Sequence, residues 1–177
     1  MEINILRFPK EEDWQRALLL ARETQGKDGI LTPSFDWKRK LIKSEHSPLR
    51  TLMFTIEMKD IPYYNSVHFV RHKFGVEHYV KSQRSNKDRG SEPQNAHVNH
   101  IMDINAQSLI FICRKRLCNK ADNITKQIMT MIVDEIIKVC PEFEGFLVPE
   151  CIYRNGICPE FKSCGKINFL QNTIDKK

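Results

Sequence analysis

Arg50-Thr51-Leu52-Met53-Phe54-Thr55-Ile56-Glu57-Met58 is the stretch on which the fold turns. Leu52, Phe54, Ile56 and Met58 fall on one side of an extended chain, and Thr51, Met53, Thr55 and Glu57 on the other. Side chains alternate across a strand with a period of two, so the pattern predicts a strand with one buried face. Pro62 then suits the opening of a helix, where its missing N–H would have had no intrahelical partner. Tyr64, Val67, Phe69 and Val70 carry that helix to Arg71.

Working outward, residues 2–8 read as a short strand with Ile3 and Ile5 on one face. Glu11 to Gln25 reads as an amphipathic helix with Trp14, Leu18, Leu19 and Ala21 in its stripe and Gly26 as its stop. Residues 27–34 form a loop, and Phe35 to Lys43 a second short helix. On the other side, residues 85–99 read as a polar loop. Ile104 to Lys115 reads as a helix with Leu109, Ile112 and Cys113 together. Asn123 to Val139 is a clearer helix, with Ile124, Ile128, Ile132 and Ile136 at four-residue spacing and Pro141 to end it. Beyond Gly145 the chain is rich in Cys, Pro and Gly and irregular. The fold class expected is α+β, a small and mostly antiparallel sheet packed against helices. Residues 1–145 would form one catalytic domain and residues 146–177 a Cys-rich extension of it.

The bulk numbers agree with a globular domain. The chain has 177 residues, enough for one real core, with 41% hydrophobic and 28% charged residues. The N-terminal residues lack the basic, apolar and small-residue regions of a signal peptide, and no apolar run reaches the ~18 residues of a membrane span. A cytoplasmic location without a membrane partner is expected. Net charge is +6. Much of it concentrates in Arg71, Lys73, Lys81, Arg84, Lys87 and Arg89. A nucleic-acid groove usually interleaves a long basic stripe with aromatics, whereas a short cluster suits a small anionic ligand in a pocket. Nucleic acid is therefore the less favoured partner.

Two motifs carry the chemistry. Arg71-His72-Lys73 at a helix end can fan around a phosphate or an anionic cofactor, and Ser82-Gln83-Arg84 follows after eight residues. The guanidinium groups of Arg71 and Arg84 can each grip phosphate with two parallel hydrogen bonds, which lysine cannot do. A solvated basic surface is the plain alternative on charge alone.

These motifs, with two further blocks, resemble those of the flavin-dependent thymidylate synthase (ThyX-type) family. That family carries Arg-His-Arg, a spacer one residue shorter, then Ser-x-Arg. Upstream, Glu45-His46-Ser47-Pro48 and the strand Leu52 to Ile56 resemble its His-x-Thr/Ser-Pro segment and Phe-Thr-Phe strand. Downstream, Asn105-Ala106-Gln107-Ser108-Leu109 and Arg116 resemble its Asn-Ala-Arg-Ser-Leu block and following arginine, at matching spacing. The blocks lie within roughly residues 44–140.

The resemblance implies a ThyX-like fold and reductive methylation of dUMP to dTMP, with FAD as cofactor, NADPH as reductant and methylenetetrahydrofolate as carbon donor. Arg71, His72, Lys73 and Asn105 would meet the flavin, with His46 and Ser47 near flavin and folate. Ser82, Gln83 and Arg84 would hold the nucleotide, with Arg89 standing in for a further phosphate-binding arginine and His68 where a glutamine is usual. Arg116 would face the uracil ring and polarise it, as the catalytic residue. A homotetramer with shared active sites is implied as well. Lys73, Gln107 and Phe111 depart from the family's arginine, arginine and asparagine, and the stretch between Arg84 and Asn105 is shorter. One-carbon transfer to another pyrimidine nucleotide therefore stays open, as does a nucleotide- or nucleic-acid-binding protein that has kept the fold without the reaction.

Of six cysteines, Cys151, Cys158 and Cys164 fall in the turn-rich tail with Cys118 upstream. Soft thiolates of this kind suit tetrahedral zinc, although the spacings are wider than a Cys-x-x-Cys knuckle. Some members of the resembled family end in a similar segment, which implies a structural site from Cys118, Cys151, Cys158 and Cys164. Reduced thiols without metal are the equal alternative, since an even count in a reducing compartment does not imply disulfides. Cys113 and Cys140 read as buried apolar groups. His78, His97 and His100 could be ligands, but lone histidines in a polar loop more often have no special role.

Overall fold

The computed structural model describes residues 1–166 except 30, 83, 85 and 87–91. Gln83 and Arg89, both expected at the nucleotide, lie outside the described residues, as does part of the loop expected over 85–99.

Four antiparallel strands form one sheet in the order β1-β2-β4-β3. They are β1 (Glu2–Arg7), β2 (Met53–Pro62), β3 (Val76–Val80) and β4 (His97–Asn105). The alternation that predicts β2 is the alternation observed: Phe54, Ile56 and Met58 are fully buried while Met53, Thr55 and Glu57 are half-buried. On β4 their partners are Ile104, Met102 and His100. A bulge between Met58 and Ile61 breaks the register, with Asp60 in the left-handed region at φ 56°. An extra residue of this kind sharpens the local twist and turns the chain toward the helix that follows.

Among the described residues, six α-helices accompany the sheet: α1 (Glu11–Glu23), α2 (Phe35–Ser44), α3 (Tyr63–Val70), α4 (Ala106–Arg116), α5 (Asn123–Val139) and the short α6 (Glu150–Tyr153). Their ends follow local chemistry. Ser34 caps α2 by accepting from the Trp37 N–H, Asn105 caps α4 by accepting from Ser108, and Asp122 caps α5 by accepting from Thr125. Each cap satisfies an N–H that the helix itself leaves over, worth roughly 1 kcal/mol. Ile128, Met129, Ile132 and Ile136 of α5 and Leu109, Ile112 and Cys113 of α4 join the inward residues of the sheet in one core. Trp14 and Phe143 close it, their rings 6.1 Å apart.

Three expectations need correction. His97–Asn105 is a strand, so the polar loop ends earlier than expected and Ile104 belongs to β4 and not to a helix. The segment alternates Val98, His100, Met102 and Ile104 inward, and the histidine within that series disguises it. His100 is accordingly buried in the core instead of lying in a loop. Val76–Val80 is also a strand, which carries His78 into the sheet. On α1 the buried residues are Trp14, Ala17 and Leu18, while Leu19 is exposed. Among the described residues, no helix is long and apolar enough to cross a membrane.

Candidate functional site

Helix α3 ends at Val70, and the next three residues are Arg71, His72 and Lys73. The chain then turns through Phe74 and Gly75 into β3. Gly75 has φ +67°, and a Cβ there would run into the side chains of Asn105 and Ser108. Only glycine suits both the backbone and the space. The start of α4 clamps this turn: the Asn105 N–H donates to the Gly75 carbonyl at 2.9 Å, and the Ser108 hydroxyl donates to the Phe74 carbonyl at 2.7 Å.

Between the end of α3 and the start of α4 lies a cleft of about 510 Å³. Arg50, Arg71, His72, Lys73, Phe74, Gly75, Asn105, Gln107, Ser108 and Phe111 are among its lining residues. Arg71 and Lys73 are exposed, and so are the rings of Phe74 and Phe111, at 92% and 55%. The amino-terminal end of α4 adds the positive pole of its dipole. Arg50, Phe74 and Gly75 were missed as site residues. Arg50 heads the stretch that predicts β2, and only the fold brings it to the cations that follow α3.

Arg116 reaches the same cations from the far end of α4. Its Nε–H donates to His72 Nε2 at 3.1 Å and its Nη2 donates to the His68 carbonyl at 2.5 Å. The second contact places a cation on the carbonyls that end α3, where the helix dipole favours it. The first fixes His72 as a neutral acceptor. Burial, then the charge of Arg116, then His78 push the His72 pKa down to about 4. Burial and the neighbouring charge of Arg71 lower the pKa of Arg116 itself.

A chain of histidines continues behind the site. The His72 carbonyl can only accept, so His78 Nε2 carries a proton toward it at 2.9 Å. With His78 neutral, its Nδ1 accepts from His100 Nε2 at 3.0 Å. That leaves His100 Nδ1 a bare lone pair in the core, without a partner. Burial and then His78 push the His100 pKa down to about 3. His68 is turned away from the cleft, its Nδ1 bonded to the Thr125 hydroxyl at 2.9 Å. Burial and then the charges of Arg116 and Arg71 lower its pKa. Burial resists ionisation of Asp122, but hydrogen bonds from Thr125 and Asn65 outweigh it and hold the carboxyl below its usual range.

The remaining expected residues distribute as follows. Asn105 lines the cleft with Arg71, His72 and Lys73. His46 and Ser47 are exposed and line a separate hollow with Trp37 and Lys40. Ser82 and Arg84 are exposed beyond the end of β3. Gln107 donates to the Glu45 carboxylate at 2.6 Å, and Glu45 also pairs with buried Arg114. The Gln107 amide is therefore spent on the carboxylate of an internal ion pair. Cys118, Cys151, Cys158 and Cys164 line one small cavity, although among the described residues no three His, Cys, Asp or Glu side chains stand together as a metal-holding set. Cys113 and Cys140 are buried as expected, and burial raises both thiol pKa values, that of Cys140 to about 12.

No protein-family model matches the chain, and no curated protein matches it. Its fold, however, is similar to that of a thymidylate synthase X. The crystal structure of thymidylate synthase X (ThyX) from Helicobacter pylori with FAD and dUMP superposes with a TM-score of 0.67 at 14% identity, covering 83% of this chain and 99% of that one.

Proposed function

We propose that the cleft between α3 and α4 binds a flavin dinucleotide and that a pyrimidine deoxynucleotide binds beside it, near Arg116. The observation that carries the reading is the meeting of Arg50, Arg71 and Lys73 with two exposed aromatic rings at a helix amino-terminus, in a fold shared with a protein that binds FAD and dUMP. The donor set fits such a ligand. Cations and backbone amides suit a pyrophosphate, and the rings of Phe74 and Phe111 suit a planar heterocycle.

The reaction proposed is reductive methylation of dUMP: dUMP, methylenetetrahydrofolate, NADPH and a proton give dTMP, tetrahydrofolate and NADP⁺. The flavin, when bound, supplies the reducing equivalents. The chain orients and stabilises. Arg116, held by the His68 carbonyl and neutral His72, keeps part of its guanidinium free for the uracil oxygens, where it stabilises negative charge as the ring is activated. Ser82 and Arg84 hold the nucleotide phosphate. Since they and His46 lie outside the cleft of their own chain, we infer that a second copy completes each site, in keeping with a homotetramer.

The test is the visible spectrum of the purified protein with added FAD, followed by titration with dUMP. A bound-flavin spectrum that shifts with dUMP supports the reading, and turnover with folate and NADPH completes it. Absence of flavin binding at every concentration tried overturns it. A shift with a cytosine deoxynucleotide and none with dUMP would keep the fold's chemistry and change the base.

A further inference from the structure

Two of the six cysteines, Cys113 and Cys140, are core residues with 0% and 1% exposure. The other four converge. Cys118, Cys151, Cys158 and Cys164 line a single cavity of about 20 Å³ just past the end of α4. That volume accommodates one water-sized body. Three stretches of chain supply the thiols: the turn after α4, the short helix α6, and the loop that follows it. The convergence depends on a reversal at Asn155 and Gly156, both in the left-handed region at φ 53° and 95°. The Gly156 N–H donates to the Cys151 carbonyl at 2.7 Å and closes that turn, which returns Cys158 toward Cys151.

From this convergence we propose that Cys118, Cys151, Cys158 and Cys164 form a structural zinc site that fastens the C-terminal segment to the end of α4. Four neutral thiols lose four protons as four Zn–S bonds form, so the site carries two net negative charges. Lys120 and Lys166 line the same cavity, opposed by Glu160, and offset part of that charge. With Zn–S bonds of about 2.3 Å, coordination draws the four sulfurs together and the loop carrying Cys158 and Cys164 inward. The functional consequence lies on α4. Cys118 is two residues past Arg116, and Tyr153 of α6 lies over the Arg114 guanidinium at 3.4 Å from the ring centroid. The metal thus fixes the helix end from which Arg116 projects. The site stands apart from the cleft and does not depend on the flavin reading.

Metal analysis of the full-length protein, purified under reducing conditions without chelator, tests this directly. About one zinc per chain is expected. A thiol reagent under native conditions should leave the four cysteines unmodified until a chelator is added, and Cys113 and Cys140 unmodified in both cases. Cobalt substituted for zinc in the wild-type protein should give sulfur-to-metal charge-transfer bands, a readout that needs no variant. The double variant Cys158→Ser/Cys164→Ser should lose the zinc. No metal after reconstitution with zinc, with the four thiols reacting freely, overturns the site. Stoichiometric zinc that survives the double variant overturns the ligand set, and stoichiometric iron in place of zinc overturns the metal.

Discussion

Lowering the pH from 7 to 5 should destabilise this protein through two histidines that the fold holds neutral. His100 is fully buried with its pKa near 3, and His72 is half-buried with its pKa near 4, against an ordinary value of 6.5. Over the window from 6.5 down to about 4 the unfolded chain therefore binds protons that the folded chain refuses. Stability rises with pH wherever the unfolded state binds more protons, so it falls as the pH drops through that window. For a group shifted this far, integration from pH 7 to 5 gives about 2 kcal/mol. His72 is partly exposed, and screening reduces its share to about 1 kcal/mol. The sum, roughly 3 kcal/mol, is a large part of the 5–15 kcal/mol that holds a typical domain together. The Asp122 carboxyl is held below its ordinary 3.8, so its contribution fades at lower pH and does not mask the effect. Urea unfolding at the two pH values measures the loss. With a slope of about 2 kcal/mol per molar, the midpoint should fall by roughly 1–2 M. His100→Gln keeps a donor for His78 and removes the titration, so it should flatten the profile by about 2 kcal/mol whatever it costs at pH 7. A wild-type midpoint equal at both values, or an H100Q profile as steep as wild type, would refute the reasoning.

Three further outcomes are expected. Arg71→Ala removes an exposed cleft cation, and FAD affinity should drop roughly 10–100-fold with the melting temperature unchanged, because a hydrogen bond to a charged group is worth about 1.5–3 kcal/mol. Calorimetric titration with FAD checks it, and unchanged affinity would remove this arginine from the site. Gly75→Ala forces a left-handed alanine against Asn105 and Ser108, so a thermal melt should register a loss of about 1–3 kcal/mol together with weakened flavin binding. Glu45→Gln leaves the Arg114 guanidinium, 5% exposed, without its countercharge. The cost should be about 3 kcal/mol, a drop of roughly 6–12 °C by calorimetry, and a melt within a degree of wild type would show that Arg114 has found another partner.

What could be read from the sequence was whatever a local rule governs. β2 follows from strict alternation, and α5 from isoleucines at one-turn spacing with Pro141 to end it. The cations of Arg71 and Lys73 were legible because adjacent charges at a helix end need an anion or solvent, and they do share a cleft with Asn105. β4 was hidden by His100, a polar residue that is buried because His78 satisfies one of its nitrogens. No period-two rule anticipates a partner 22 residues away. Arg50 was hidden for a similar reason, since its place in the cleft is set by the short 3-10 turn over Ser47–Thr51 and not by any pattern around it. His46 and Ser47 show the converse, a motif recognisable in sequence whose side chains line a different hollow within the same chain.

His72 joins the two halves of the site. It lines the cleft, and its Nε2 receives the guanidinium of Arg116, which comes from the far end of α4. An eleven-residue helix is about 16 Å long, so Asn105 at one end and Arg116 at the other cannot serve one small ligand unless something between them is shared. The shared element is the end of α3, whose last carbonyls hold Arg116 and whose next residues face the cleft. His72 must be neutral for this to work. Protonated, it would lose its lone pair for Arg116 and set a third positive charge beside Arg71 and Arg116. Burial and the Arg116 charge keep it neutral, and His78 of β3 holds the His72 carbonyl at 2.9 Å. The histidines behind the site thus do not need to touch a ligand to matter. His78 adds to the burial and to the Arg116 charge that hold His72 neutral, and His72 is where the cleft and the arginine meet.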